Sequence, residues 1–252
     1  MSLLAAVRDL QRRRGRERRG LALAEGVRLV EEMLGAGVIC KGAVAASMLD
    51  STPRGVALRA ALTARHVPIE AVSDDIMLEL ALTEQTQGII AVYQPREWTL
   101  ADLSPVPRQP LVILDAVQDP GNVGTIARAA HALGAAGMIA LAGTADVTNP
   151  KAVRAAMGAL FRLPCVLADD ATVLAWLTEH RVELWAAAMD GQAAGDLRAD
   201  TAVALIVGNE GAGVRPSLLA AATRRVSIPI RPDAESLNVA TAAGILLYLL
   251  TR

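Results

Sequence analysis

From position 111 to the end of the chain, short apolar runs alternate with helical stretches, and this alternation constrains the fold more than any other feature. Runs at 111–117, 137–142, 163–167, 183–189, 202–207 and 225–230 read as strands, and 123–133, 150–160, 171–180, 216–222 and 237–250 read as helices. Strand, helix, strand in succession favours parallel pairing, and unbroken apolar runs such as Ala204-Leu-Ile-Val207 suit strands covered on both faces. The expected fold is therefore α/β, with a C-terminal parallel-sheet domain over 111–252 and a smaller α/β domain before it.

In the first part of the chain, 3–19 reads as a helix passing into an arginine run, and 25–34 as an amphipathic helix stopped by Gly35 and Gly37. Strands at 38–46, 67–72 and 88–93 alternate with helices at 54–65 and 74–82. The expected division is a basic N-terminal helix or arm at 1–19, a small domain at 20–95, a proline-rich linker at 96–110, and the sheet domain. Pro105, Pro107 and Pro110 mark the linker.

Three segments sit where strands of the second domain hand over to a loop or helix, the place where parallel sheets collect ligands. They are Asp119-Pro-Gly-Asn-Val-Gly-Thr-Ile-Ala-Arg128, Val207-Gly-Asn-Glu-Gly-Ala-Gly-Val214 and Glu235-Ser-Leu-Asn-Val239. Each has a plain structural explanation. Pro120-Gly121 makes a turn with Asn122 as helix cap, the glycines of the second segment make a flexible loop with Glu210 in solvent, and Ser236 caps the last helix. Arg128 fits this less well, because a cation near the positive end of a helix dipole is disfavoured without an anionic partner. For Arg128 the structural and functional explanations weigh about equally. The closing helix is apolar all round, so it must be buried on every side or packed against another chain.

Several classes are excluded. Gly121-Asn-Val-Gly124 lacks the spacing of a dinucleotide fingerprint, and no G-x-S-x-G elbow is present. His66, His131 and His180 form no metal-ligand pattern with Cys40 and Cys165, so no metal is expected. The cysteines read as buried small hydrophobes in a reducing compartment. The longest apolar run, 239–250, is too short to cross a bilayer, and no signal core opens the chain, so a cytoplasmic protein is expected. Aromatic residues are only 2% of the chain, which leaves few base-stacking platforms. The net charge of −1 hides seven arginines between positions 8 and 19, most simply a solvated helix face or mobile arm and functionally a phosphate-binding one.

Taken together and in order, DPGNVGTIAR, VGNEGAGV and IPIRPDAESLNVATAAG resemble the three motifs of the SpoU-type (TrmH-like) RNA ribose 2′-O-methyltransferases of the SPOUT superfamily. The stretch Thr148-Asn-Pro-Lys-Ala-Val-Arg-Ala-Ala-Met-Gly-Ala-Leu-Phe-Arg-Leu-Pro164 adds to the match. Glu25-Gly-Val-Arg-Leu-Val-Glu-Glu32 resembles the opening of that family's ribosomal-protein-like substrate-binding domain. The resemblance implies a deep trefoil knot in the C-terminal domain, S-adenosylmethionine (AdoMet) bound in the knot, an RNA substrate and a homodimer. It assigns Arg128, Asn122, Glu210, Ser236 and Asn238 to catalysis, and Gly208, Asn209, Ile228, Ile230 and Leu237 to the methyl donor. Ala240, Ala156 and Ile230 stand where relatives often carry serine, serine and methionine. Ribosomal RNA is the favoured substrate. The alternatives are a tRNA ribose methyltransferase and a non-catalytic RNA-binding protein that kept the fold; a Rossmann-type methyltransferase is disfavoured.

Overall fold

The computed structural model describes residues 2–196 and 199–252, so the first residue of the expected 1–19 arm lies outside it. The chain divides into two compact units, Met1–Arg96 with Asp146–Phe161, and Glu97–Ala145 with Arg162–Arg252.

The first unit is built on a four-stranded sheet of order β1-β4-β2-β3, from β1 (Ala22–Glu25), β2 (Cys40–Ala45), β3 (Ile69–Ala71) and β4 (Ile89–Tyr93). Alternation along the strands serves two cores. Ala22, Ala24, Ile89, Ala91 and Tyr93 face helices α3 (Val27–Gly35) and α4 (Pro53–Ala64). Leu23, Ile90 and Val92 face α1 (Leu3–Leu10) and α5 (Asp74–Leu80). Strand β1 was not expected: four residues of Ala-Leu-Ala-Glu carry no strand propensity, and pairing with β4 makes them a strand. Asp146–Phe161 belongs to this unit. Its helix α7 (Pro150–Ala156) lies against β1, and Phe161 meets the Tyr93 ring edge-on at 5.2 Å.

The arginine run is neither one helix nor a free arm. The helix expected over 3–19 breaks at Arg12, and α2 (Arg13–Arg19) folds back on α1 so closely that a Cβ at Gly15 would lie 2.0 Å from the Asp9 carbonyl oxygen. Arg16, 4% exposed, points inward. It donates to Asp146 at 2.7 Å, to Thr148, and to the carbonyls of Leu10 and Gln11. Arg8 pairs with Glu79, Arg13 with Glu17, and Arg18 and Arg19 with Asp9. Arg12 and Arg14 are exposed with no such partner among the described residues.

The second unit carries a six-stranded sheet of order β10-β8-β9-β5-β6-β7, every neighbouring pair parallel, as the alternation implies. Its strands are β5 (Leu111–Leu114), β6 (Gly137–Ala140), β7 (Cys165–Leu167), β8 (Glu183–Ala193), β9 (Val203–Val207) and β10 (Arg224–Ser227). Leu111, Ile113, Ala204 and Ile206 turn to one face, with α8 (Asp170–Glu179) and α9 (Pro216–Ala221). On the other side α6 (Pro120–Ala132) packs against α10 (Val239–Leu250), which also touches β9. The proline-rich stretch is no free tether, since Trp98, Leu100 and Leu103 pack into this unit's core. Strand β10 stops at Ser227, and the segment after it runs without regular structure to Asn238. Cys40 and Cys165 are unpaired and half-buried rather than fully buried. No helix is long and apolar enough to cross a membrane, among the described residues.

Candidate active site

The carboxyl ends of β5 and β9 lie side by side, Leu114 opposite Val207; β9 runs straight into Gly208, and β5 reaches the Pro120-Gly121 turn after a short loop. After β9 the chain closes a tight loop on itself. Asn209 and Gly213 exchange backbone hydrogen bonds at 3.0 and 2.9 Å, and Asn209 Oδ1 accepts the N–H groups of Gly211 and Ala212. A Cβ at Gly208 would sit 2.1 Å from the Gly213 carbonyl carbon, so only glycine permits this closure.

A cavity of about 320 Å³ opens against the loop. Gly208, Asn209, Glu210, Ile228, Ile230, Ser236 and Leu237 all line it, so the second and third sequence segments do meet at one place. Sequence reasoning missed the wall contributed by β8, where Ala187, Ala188 and Met189 face the cavity, and by Leu246 of α10. Small alanines on a strand leave room for a ligand against the backbone, but which strand flanks β9 is a matter of sheet order that local pattern does not reveal.

The first segment joins by hydrogen bonds rather than by lining the cavity. Asn238 Nδ2 donates to Asn122 Oδ1 at 3.0 Å, and Asn122 Nδ2 donates to Glu210 Oε1 at 3.0 Å. Glu210 also accepts the N–H groups of Gln118 and Asp119, both at 3.1 Å. Partial burial works against its charge. The hydrogen bonds from Asn122, Asp119 and Gln118 outweigh that and hold the carboxyl below its ordinary range. Glu210 is thus an ionised acceptor tying the loop to the start of α6, not a group poised to titrate near neutrality.

Three local expectations need correction. Helix α6 starts at Pro120 with Asp119 as its cap, because Asp119 Oδ1 accepts the Gly121 N–H at 2.5 Å. Asn122 is released from capping and is free to make its two side-chain bonds. The early start also puts Arg128 in the third turn, beyond the reach of the dipole, which fades within the first turn. The dipole argument for an anionic partner therefore lapses. Asn238, not Ser236, caps α10, since its Oδ1 accepts from Ala240 and Thr241.

Arg128 is the one expected residue that the structure does not join to the others. It is exposed on α6, does not line the cavity, and its side chain makes no hydrogen bond or ion pair with any described residue. The apolar closing helix is only partly covered: Ala243, Leu246, Leu247 and Leu250 are buried, whereas Ile245 and Tyr248 are 37% and 44% exposed. Among the described residues no cluster of His, Cys, Asp and Glu is suited to hold a metal ion.

The sheet brings the three segments together beside one largely apolar cavity at its strand ends, where a parallel α/β fold binds small ligands. Residues 109–248 match the SpoU rRNA methylase family and residues 4–91 match the MRM3-like substrate-binding domain. The chain belongs to the SpoU rRNA methylase family. It is 38% identical over 177 residues to the 23S rRNA (guanosine(2553)-2′-O)-methyltransferase RlmP of Bacillus subtilis, covering 70% of this chain and 69% of that protein. Its fold is similar to that of the AdoMet-bound rRNA methyltransferase of Sinorhizobium meliloti, with 30% identity, a TM-score of 0.88, and coverage of 98% of this chain and 93% of that one. It is likewise similar to AviRb of Streptomyces viridochromogenes in complex with AdoMet, at 27% identity, TM-score 0.88, and coverage of 100% and 97%.

The cavity fits that cofactor. Its volume lies at the lower end of the range for small-molecule sites, and its walls are mostly apolar with a few convergent polar groups. Ile228, Leu237 and Leu246 give it apolar walls that would suit a purine ring, and Gly208 leaves backbone uncovered by a side chain.

Proposed function

We propose that this chain methylates a ribose 2′-hydroxyl of ribosomal RNA, with the methyl donor held by Gly208, Asn209, Ile228, Ile230 and Leu237. The observation that carries this reading is the continuous line Asn238–Asn122–Glu210, which ties all three motifs together beside the cavity. The rRNA target is supported by relatives named for 23S rRNA ribose positions, while others are named as tRNA/rRNA methyltransferases.

When bound, AdoMet supplies a methyl group already activated for displacement. The protein's task is then to place the hydroxyl in line and to ease its deprotonation. Arginine gives up its proton only with great difficulty, so Arg128 serves as a fixed cation that stabilises the developing alkoxide, the proton leaving to a phosphate or water. Its lack of any intramolecular anion supports that role, because nothing in the described chain competes for its charge. Asn122, held by Asn238 and Glu210, orients the ribose. Ser236, on the cavity wall, shapes the space beside the reacting groups.

The exposed Ile245 and Tyr248 on an otherwise apolar helix support a homodimer formed through α10. A trefoil knot accords with a chain that leaves edge strand β10, lines the cavity and returns as α10 against α6. Cytoplasmic residence follows from the substrate. The test is transfer of labelled methyl from AdoMet to deproteinised ribosomal RNA, with the position mapped by resistance of the modified ribose to alkaline cleavage. Absence of transfer to rRNA, with transfer to tRNA, would replace the substrate. Absence of AdoMet binding would leave a non-catalytic RNA-binding protein.

A further inference from the structure

Asn209 and Glu210 hold the near side of the 208–214 loop, and a buried charge below it holds the far end. Asp115 follows the last residue of β5, continues the ladder by donating to the Val207 carbonyl, and is completely buried. A carboxylate in that position needs partners for both oxygens. Both come from Arg215, whose backbone N–H reaches Oδ2 at 2.7 Å and whose Nε reaches Oδ1 at 2.5 Å. Arg215 Nη2 continues to Asp170 Oδ1 at 2.9 Å, at the start of α8. Opposing carboxylates outweigh partial burial and raise the Arg215 pKa, so the guanidinium is a permanent charge.

The neighbouring residue is strained. Ala116 has φ +56, a left-handed conformation that costs an alanine energy, and its carbonyl accepts Asn209 Nδ2 at 2.9 Å. Strained backbone persists where surrounding contacts over-determine it. Here the contacts come from the two ends of the cavity loop, Asn209 at its start and Arg215 just past its end. Neither Asp115 nor Arg215 lines the cavity, whereas Gly208, Asn209, Glu210, Ala212, Gly213 and Val214 between them do.

We propose that Asp115 and Arg215 are positioning residues of the donor site: their ion pair, with Asp115 buried and the Arg215 side chain 39% exposed, clamps the far end of the 208–214 loop to β5 and so fixes the cavity wall that AdoMet contacts. The inference rests on the reading of the cavity as the donor pocket. The fork geometry matters as well as the charge, because Nε serves Asp115 while Nη2 serves Asp170, two fixed and separate donor positions that a single ammonium nitrogen does not reproduce.

The informative variant is the apolar pair D115L/R215M, since removing Arg215 alone strands the buried Asp115 charge, whereas replacing both leaves only the part-exposed Asp170 without its cation. AdoMet affinity is measured by calorimetry, and amide hydrogen exchange is followed at Gly211 and Ala212 against Val112 and Leu205 in the sheet. The expected result is AdoMet affinity weakened at least tenfold, with faster exchange confined to the loop. Arg215→Lys, which keeps the charge, gives the same loop-confined exchange with a smaller loss of affinity, and covers the case in which the double variant fails to fold. Wild-type affinity and loop exchange in a folded variant overturn the clamp. A wild-type chain that does not bind AdoMet overturns the reading of the cavity, and the clamp with it.

Discussion

Replacing Arg128 with alanine separates catalysis from folding more cleanly than any other change in this site. The side chain is exposed and has no hydrogen-bond or ion-pair partner among the described residues. Exposed substitutions without such partners change stability by at most about 0.5 kcal/mol. For a chain of this size that corresponds to a shift of about 2 °C or less in the melting temperature. Loss of a preorganised group facing a developing negative charge costs about 3–4 kcal/mol at the transition state, a factor of roughly 10² to 10³ in rate. The donor cavity is lined without Arg128, so AdoMet affinity should stay within about twofold. The assay is single-turnover transfer of labelled methyl to deproteinised rRNA, run beside calorimetry with AdoMet and a thermal melt. A hundredfold slower transfer with unchanged donor binding and melting is expected. A wild-type rate refutes the role given to Arg128, and a melting temperature lowered by more than about 5 °C refutes the premise that it is structurally idle.

Arg16→Met should destabilise the first unit by about 3–5 kcal/mol, since it leaves the largely buried Asp146 unpaired, and D146L/R16M should recover most of the loss in a denaturant melt. Gly208→Ala puts a methyl group 2.1–2.3 Å from the Gly213–Val214 backbone, so the loop must shift, and AdoMet affinity by calorimetry should fall at least about tenfold. Glu210 is held below its ordinary value of 4.5, so its contribution is complete above about pH 4.5 and is lost as pH falls through the lower folded value. Glu210 should therefore add no pH dependence to the thermal melt from about pH 7 to 5 and a loss of stability below about 4.5, which Glu210→Gln should remove.

The parallel sheet was legible because buried strands and amphipathic helices have different periods, and the cavity segments were legible because glycine and amide residues cluster at strand ends. What escaped depends on partners distant in sequence. Asp115 looks like the end of a strand, and Arg215 lies 100 residues away. Neither position carries a local sign that Arg215 pairs with a buried Asp115. Helix caps escaped for a subtler reason. Asp119, Asn122, Ser236 and Asn238 can all cap; at α6 the choice follows from which neighbour tertiary bonds have already claimed, whereas Asn238 caps α10 through Oδ1 while its Nδ2 holds Asn122. Asn122 is taken by Glu210 and Asn238, leaving Asp119 to start α6. The 96–110 stretch reads as a linker from its prolines, yet Trp98, Leu100 and Leu103 are enough apolar surface to dock it.

The arginine run shows how a charge count misleads until pairing is known, and it yields a quantitative test. As a free arm, seven arginines would neutralise about seven phosphates, and the logarithm of RNA affinity would fall with the logarithm of salt at a slope of about −5 to −6. In the structure Arg16 is buried on Asp146 and four others face carboxylates, leaving Arg12 and Arg14 exposed without such partners. Surface pairs such as Arg13 with Glu17 are worth at most about 1 kcal/mol, so they can exchange partners, but only by giving up that much of each phosphate contact. The helix pair therefore contributes a slope nearer −1.5 than −5, from two ready contacts. R12Q/R14Q should reduce the measured slope for rRNA binding by about 1.5 and leave AdoMet affinity unchanged. A reduction of zero means the helix pair does not face the RNA. A wild-type slope that loses about 5 when all seven arginines are replaced by glutamine, in a chain still folded, means that the run detaches from the unit and acts as an arm.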